Sequence, residues 1–235
     1  MKSQCSEISI TFFVPCYNEE LNIVNTLNVI QNSVDDIAHE VLIVDDNSSD
    51  STVRVVEKYI KENPNSTIKL IKNVMNKGLG SNYFTSANVA KGKYFMLVNG
   101  DNVEPIEAIR TILKLIGKAD LIIPNFGNSD KRTGARKLIS TIFTSLVNII
   151  SGNRIEYYNG PVLHLTSNVK NSRVNSTGYG YQAELLCELL ANKASKLQVT
   201  IKNGDREWGA SKAFAPKNFI SVGGSLIKIF VRRIW

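Results

Sequence analysis

The sequence predicts an α/β protein with a mostly parallel central sheet and helices on both faces. Short apolar runs rich in β-branched residues recur at 8–14, 41–44, 68–71, 94–98 and 121–123. Amphipathic segments near 19–33, 51–62, 80–91 and 104–116 lie between them. Strands that alternate with helices at this spacing are joined by crossovers, which sets neighbouring strands parallel. The third observation is placement. Polar residues gather directly after three of the runs, where an open parallel sheet receives its ligand.

Taken in order, the run at 8–14 ends on Pro15-Cys16-Tyr17-Asn18-Glu19-Glu20. The run at 41–44 is wholly apolar, as a strand buried on both faces should be, and ends on Asp45-Asp46-Asn47-Ser48-Ser49-Asp50. The run at 94–98 ends on Asn99-Gly100-Asp101-Asn102, a turn holding one carboxylate where a metal and phosphate site usually has two. Beyond 125 the pattern is less regular. Leu138, Ile139, Ile142, Phe143, Leu146, Val147 and Ile150 share one face of a helix, opposite Ser140, Thr141, Thr144, Ser145 and Asn148. Residues 178–190 read as a turn entering a helix, and 197–201 as a short strand. The tail from Leu226 to Trp235 is apolar with three basic residues.

The chain has 235 residues, with 43% hydrophobic and 21% charged side chains, enough to fill one sizeable α/β core. Its net charge of +7 favours anionic partners without choosing among them. No recognition-helix pattern and no interleaving of aromatics with a basic stripe points to nucleic acid. Cys5, Cys16 and Cys187 are scattered, which argues against a disulfide framework or a zinc site and for a reducing compartment. The N-terminus lacks the apolar core of a signal peptide, and no apolar run is long enough to span a bilayer. The expectation is therefore a protein without a leader or a membrane span.

Several stretches carry candidate chemistry. An N-cap from Ser49 or Asp50 accounts for part of the 45–52 segment. It does not account for two adjacent carboxylates, which repel unless something uses them, so Asp46 is a candidate ligand residue. Asn76-Lys77-Gly78-Leu79-Gly80 follows the third strand and is not a dinucleotide fingerprint, although glycines at a helix start permit close phosphate approach. Plain turn chemistry explains them equally well. Arg206, Ser211 and Lys212 surround Gly209, a set suited to a phosphate or diphosphate. A solvated basic loop has the same composition. His164 sits in an apolar, strand-like run and reads as structural.

In this order the pieces resemble the inverting glycosyltransferase family 2, whose fold is the GT-A type of nucleotide-diphospho-sugar transferases. Tyr158-Asn159-Gly160, the stretch from Gly178 to Glu184 and the stretch from Arg206 to Lys212 are similar to one branch. That branch contains dolichol-phosphate mannose synthase and bacterial polyprenyl-phosphate glycosyltransferases. The resemblance implies a domain over 1–218 and a basic amphipathic tail over 219–235. It implies that Pro15, Tyr17, Glu19, Val44 and Asp46 contact the base and ribose of the donor, together with Asn99 and Gly100. Asp101 would hold Mg2+ or Mn2+ on the diphosphate. Arg206 and Lys212 would face phosphate, and Gln182 and Glu184 would lie near the acceptor. The partners implied are a nucleotide-diphosphate sugar, a polyprenyl phosphate, and a membrane surface or membrane protein on the cytoplasmic side. Three positions depart from the family pattern: Asn99 replaces the first aspartate of Asp-x-Asp, Glu156 replaces an aspartate, and Asn125-Phe126 stands where relatives carry an arginine. Arg132 and Arg136 are near it in sequence. Two other classes remain open: transfer to a saccharide acceptor in surface polysaccharide synthesis, and a non-catalytic sugar-nucleotide binder.

Overall fold

The computed structural model describes residues 7–127, 130, 133–202, 204 and 216–234, with the backbone alone at 216–221 and 234. The strands among them are β1 (Ile10–Cys16), β2 (His39–Asp45), β3 (Ile68–Lys72), β4 (Tyr94–Leu97), β5 (Leu121–Asn125), β6 (Leu163–Leu165) and β7 (Lys196–Thr200). They form one sheet in the order β3-β2-β1-β4-β6-β5-β7. Every pairing is parallel except those of β6, which runs antiparallel to both β4 and β5. The helices are α1 (Ile23–Gln31), α2 (Thr52–Glu62), α3 (Leu79–Val89), α4 (Ile106–Leu113), α5 (Gly134–Ser151), α6 (Thr166–Lys170), α7 (Tyr181–Ala191) and α8 (Pro216–Ile234).

The two-residue period of the strands divides the core. Phe12 and Val14 of β1 join Val41 and Ile43 of β2 against Leu27, Val56 and Ile109 from α1, α2 and α4. Phe13, Leu42 and Phe95 point the other way, against Tyr83, Ala87 and Leu185 from α3 and α7. Helices therefore cover both faces, as the uninterrupted apolar runs require. The expected strands are found within a few residues of their predicted ends. β6 was legible only as the strand-like run around His164. That residue is fully buried, edge-on to Tyr83 at 6.2 Å, and burial pushes its imidazole down to about 3, so it stays neutral.

A buried polar knot ties the strand starts together. Thr11 Oγ1 donates to Glu40 Oε1 at 2.8 Å, Lys91 N donates to the same oxygen at 2.6 Å, and Lys69 Nζ reaches Glu40 Oε2 at 3.1 Å. These bonds outweigh burial and hold the Glu40 carboxyl below its ordinary value. Gly92 N donates to Thr11 Oγ1, and a Cβ on Gly92 would lie 2.4 Å from the backbone of Ile10 and Thr11.

The tail does not stand apart from the domain. α8 packs on α5 and α7, burying Ser225 and Ile229. Three of its cations, among the described side chains, bond within the protein: Lys228 Nζ to Ser176 Oγ at 2.7 Å, Arg232 to Glu188 at 3.0 Å, and Arg233 to the carbonyls of Ile149 and Ile150. These bonds fasten the basic tail to the domain, while Lys228, Arg232 and Arg233 remain exposed. Ile227, Phe230 and Val231 of α8 are exposed, as are Leu138, Ile139, Ile142, Leu146 and Ile149 of α5.

Two glycines give opposite expected outcomes. Gly92→Ala forces backbone apart at the β1–β4 junction and should lower stability by about 1–3 kcal/mol, the usual range for overpacking. Gly223→Ala lies in α8 with nothing within 4 Å of the new carbon, and should raise stability by about 1 kcal/mol through helix propensity. Thermal unfolding of the two variants beside the parent measures both.

Candidate active site at the ends of β1, β2 and β4

Because β2, β1 and β4 are neighbours in parallel register, their carboxyl ends bring three loops together. The connections reverse direction between β1 and β4, which is where open sheets of this kind form their crevice. The first two loops are laced to each other. Asp46 N donates to the Cys16 carbonyl at 2.8 Å, and Asn18 N donates to Ser48 Oγ at 2.9 Å. Ser49 N donates to Asn18 Oδ1 at 2.8 Å, and Ser51 N donates to Glu20 Oε2 at 2.7 Å. Glu20 N donates to Asp50 Oδ2 at 3.2 Å, while Thr52 N donates to Asp50 Oδ1 at 2.9 Å. The N-cap position of α2 is Ser51 rather than Ser49 or Asp50, but Asp50 accepts from the first N–H of the helix and also binds the first loop. Asn18, Asn47 and Asn102, one per loop, hold left-handed φ angles of 59°, 65° and 58°, a conformation asparagine tolerates better than most side chains.

The third loop presses on the first. A Cβ on Gly100 would lie 2.7 Å from the Pro15 carbonyl and 3.1 Å from Cys16 Sγ, so only glycine permits this approach. Thr26 Oγ1 on α1 lies 3.4 Å from the Asn99 carbonyl. The structure therefore brings Pro15, Glu19, Gly100 and the Asn99–Asp101 turn to one place. Tyr17, 40% exposed, flanks it. Val44 is buried with its side chain in the core on the α3 side.

The adjacent carboxylates Asp45 and Asp46 use different donors, which explains how they coexist. Asp46 Oδ1 accepts from Asn73 Nδ2 at 2.9 Å and Lys77 N at 2.8 Å, and Oδ2 accepts from Gly78 N at 2.9 Å. Burial alone would raise its pKa, but bonds from Asn82, Lys77, Asn73 and Gly78 hold it below the ordinary 3.8. Asp46 is a latch on the 73–78 loop. Asp45 Oδ2 accepts from Ser48 N at 3.1 Å, whereas its Oδ1 is buried with no hydrogen-bond partner among the described residues.

Negative charge concentrates here. Burial, then Asp45, Glu19, Asp50 and Asp101, push the Cys16 thiol well above its usual range. Burial and the nearby Asp101 raise the Glu104 carboxyl to about 8. Such a field suits a divalent cation. Among the described residues no cluster of three or more His, Cys, Asp or Glu forms a cage. The donor set thus fits a metal that meets one carboxylate, Asp101, and takes its remaining oxygens from water and phosphate. Glu104 is the participant that the sequence pattern failed to mark, because an acid before Pro105 reads as the start of a helix. It accepts from Asn99 N at 3.2 Å and Asn99 Nδ2 at 2.7 Å.

Other expected residues sit elsewhere. Gln182, at the start of α7, is buried and donates from Nε2 to the Gly160 carbonyl. Glu184 is buried and accepts from Ser176 Oγ, the group that Lys228 also reaches. No bond joins either residue to the Asp101 turn among the described residues. Asn125 Oδ1 accepts from Thr200 Oγ1 at 3.0 Å, and Glu156 is exposed. Arg206, Lys212 and Arg132 lie outside the described residues.

Residues 11–173 match the family described as glycosyl transferase family 2. The chain belongs to that family. A dolichyl-phosphate beta-glucosyltransferase of Dictyostelium discoideum is 30% identical over 130 residues, which are 51% of this chain and 40% of that protein. The chain therefore spans less than half of that relative's length. An undecaprenyl-phosphate 4-deoxy-4-formamido-L-arabinose transferase of Proteus mirabilis is 20% identical over 241 residues, covering 94% of this chain and 72% of that one. The glucosyl-3-phosphoglycerate synthase of Mycobacterium tuberculosis, solved with Mn2+, UDP and phosphoglyceric acid, shares the fold. Its TM-score is 0.70 at 16% identity, over 96% of this chain and 78% of that one.

The Asp46 latch has a pH signature. Its folded value lies below the ordinary 3.8, so its contribution is complete above that ordinary value and fades as pH falls through the folded one. Asp46→Asn should lower stability at neutral pH by about 1–3 kcal/mol, the cost of leaving a buried donor unmatched. The parent and variant should converge in acid. Thermal unfolding across that pH range checks it, and a constant gap between the two proteins would count against the latch.

Proposed function

We propose that the protein transfers a sugar from a nucleoside-diphosphate donor to a polyprenyl phosphate, dolichyl or undecaprenyl, with inversion at the anomeric carbon. The observation that carries this reading is the convergence of the β1, β2 and β4 loops on the Asp101 turn at the switch point of the sheet. The relatives named for dolichyl and undecaprenyl phosphates support the acceptor, and the Mn2+ and UDP of the structural neighbour support the donor and a divalent metal.

The chemistry follows from the charges. The leaving diphosphate needs its growing charge neutralised, and a divalent metal on Asp101 supplies that when bound. The residues around it do the rest. The laced loops of residues 15–20 and 45–51 hold a floor for the base and ribose, with Pro15, Tyr17, Glu19 and Asp46 beside it. Asp46 acts there through the 73–78 loop that it latches. Two anions must be brought to one place, and that is the role the family resemblance implies for the cations Arg206 and Lys212. A lipid phosphate is already anionic, so in-line attack needs no strong base. The neutral, buried His164 is consistent with that.

A lipid acceptor also needs a surface. Exposed Leu138, Ile142 and Ile149 on α5 lie on a helix packed against α8, which exposes Ile227, Phe230 and Val231. No helix among the described residues is long and apolar enough to cross a membrane. The exposed apolar side chains of α5 and α8 support a reading in which the protein works at the cytoplasmic face of a membrane, held by those side chains or by a membrane partner.

Transfer of radiolabelled sugar from UDP- and GDP-sugars to dolichyl and undecaprenyl phosphates tests the function. Product is expected with one donor class, and Arg206→Ala or Lys212→Ala should cost about 2–5 kcal/mol in the transfer barrier, the range for a lost buried charged contact. Donor binding without turnover on any acceptor would favour the non-catalytic binder, and turnover on a saccharide that ignores both substitutions would favour the alternative acceptor.

The surface has its own test. Replacing Ile142 and Phe230 by Ser should abolish most cosedimentation with liposomes, whereas added salt should change it little, because burial of the apolar side chains carries the binding. Strong salt dependence would return the role to charge.

A further inference from the structure

Asn99 stands where the site would otherwise carry a second aspartate, and the structure shows what it meets. Its backbone N–H donates to Glu104 Oε2 at 3.2 Å, and its side-chain Nδ2 donates to Oε1 of the same carboxylate at 2.7 Å. Glu104 is 7% exposed. Both of its oxygens therefore grip one residue from behind the turn, while Asp101 stands two residues further along that turn. An aspartate at 99 has no side-chain donor, so wherever Glu104 is ionised it would set acceptor against acceptor in a buried place.

We propose that Glu104 is a positioning residue: it clamps Asn99, and through the short Asn99-Gly100-Asp101 turn it fixes the Asp101 carboxylate. The proposal rests on the reading of Asp101 as the carboxylate that meets metal and diphosphate. It assigns the asparagine a specific task. With Nδ2 held by Glu104, the amide oxygen is the side-chain group left to offer a ligand, and it is uncharged. The carboxylate absent from position 99 has a counterpart behind the turn at 104. Asn99 and Asp101 flank the single residue Gly100, which is packed on the Pro15 carbonyl, so a change in the backbone at 99 is passed directly to Asp101.

Four proteins test this: the parent, Asn99→Asp, Glu104→Gln and the double variant. Mn2+ binding is titrated by electron paramagnetic resonance with UDP and with GDP, beside thermal unfolding. The pH is set above the value of about 8 to which burial and Asp101 raise Glu104. Each single change should weaken nucleotide-dependent Mn2+ binding by roughly tenfold, within the range for residues sharing one hydrogen-bonded network. The double variant reverses donor and acceptor and should regain most of the affinity and the unfolding midpoint. Additive effects overturn the clamp. So does Asn99→Asp binding Mn2+ more tightly than the parent, or lowered midpoints with unchanged Mn2+ affinity in the folded proteins, which is what mere packing would give. A parent that binds no Mn2+ with either nucleotide sinks the metal reading of Asp101 itself, whereas a parent that binds it and an additive cycle sinks only the clamp.

Discussion

The rung from Asp46 N to the Cys16 carbonyl, 2.8 Å long, continues the β1–β2 ladder one step past its last strand pair. From there the two chains separate, but only into loops that bond to each other again at Asn18, Ser48, Ser49, Glu20 and Ser51. Parallel register is what makes this possible. It sets strands from distant parts of the chain to end at one level, so their loops meet without long excursions. With β4 beside β1, the third loop arrives at the same level, and Gly100 settles against Pro15. Every group with a chemical role near Asp101 inherits its position from that alignment.

The first two loops are polar, and many of their donors find acceptors in each other. Buried polar groups are costly when unmatched and specifying when matched. Asp50 serves two loops at once, and Asp46 holds a third segment whose glycines then approach the Ser176–Thr177 backbone: a Cβ on Gly80 would lie 2.1 Å from the Ser176 carbonyl. Ser176 in turn meets Glu184 and Lys228. A continuous chain of contacts therefore runs from the Asp46 latch to α8, the helix that exposes Phe230 and Val231.

Much of this was legible in the sequence. Alternating apolar runs gave the strand ends to within a few residues, because strands buried on both faces admit little but apolar side chains. The polar clusters after β1, β2 and β4 were found for the same reason, since loops at a sheet's edge are the places where Asn, Asp and Glu are free to stand. Family membership was legible too, in motifs whose spacing is local. β6 was harder to see, because three residues carry no periodicity of their own. The α5 stripe was ambiguous: the same amphipathic pattern serves a core or an interface, and only packing tells them apart.

Sequence by itself determined the strand and helix alternation, the placement of Asp101 after a buried strand and the absence of a second carboxylate at 99. Tertiary structure alone decided what those residues touch. Asp45 and Asp46 are neighbours in the chain, yet one binds its own turn and the other a loop some thirty residues later. Lys228, Arg232 and Arg233 of α8 have no partner that the sequence pattern identifies, and they bond to Ser176, Glu188 and the end of α5. Glu104 looked like the acid of a helix start and grips Asn99 instead. In each case the deciding partner is chosen by which strands lie side by side and which helix packs on which face. Those are long-range choices, made by burying apolar surface, and no local run of residues records them.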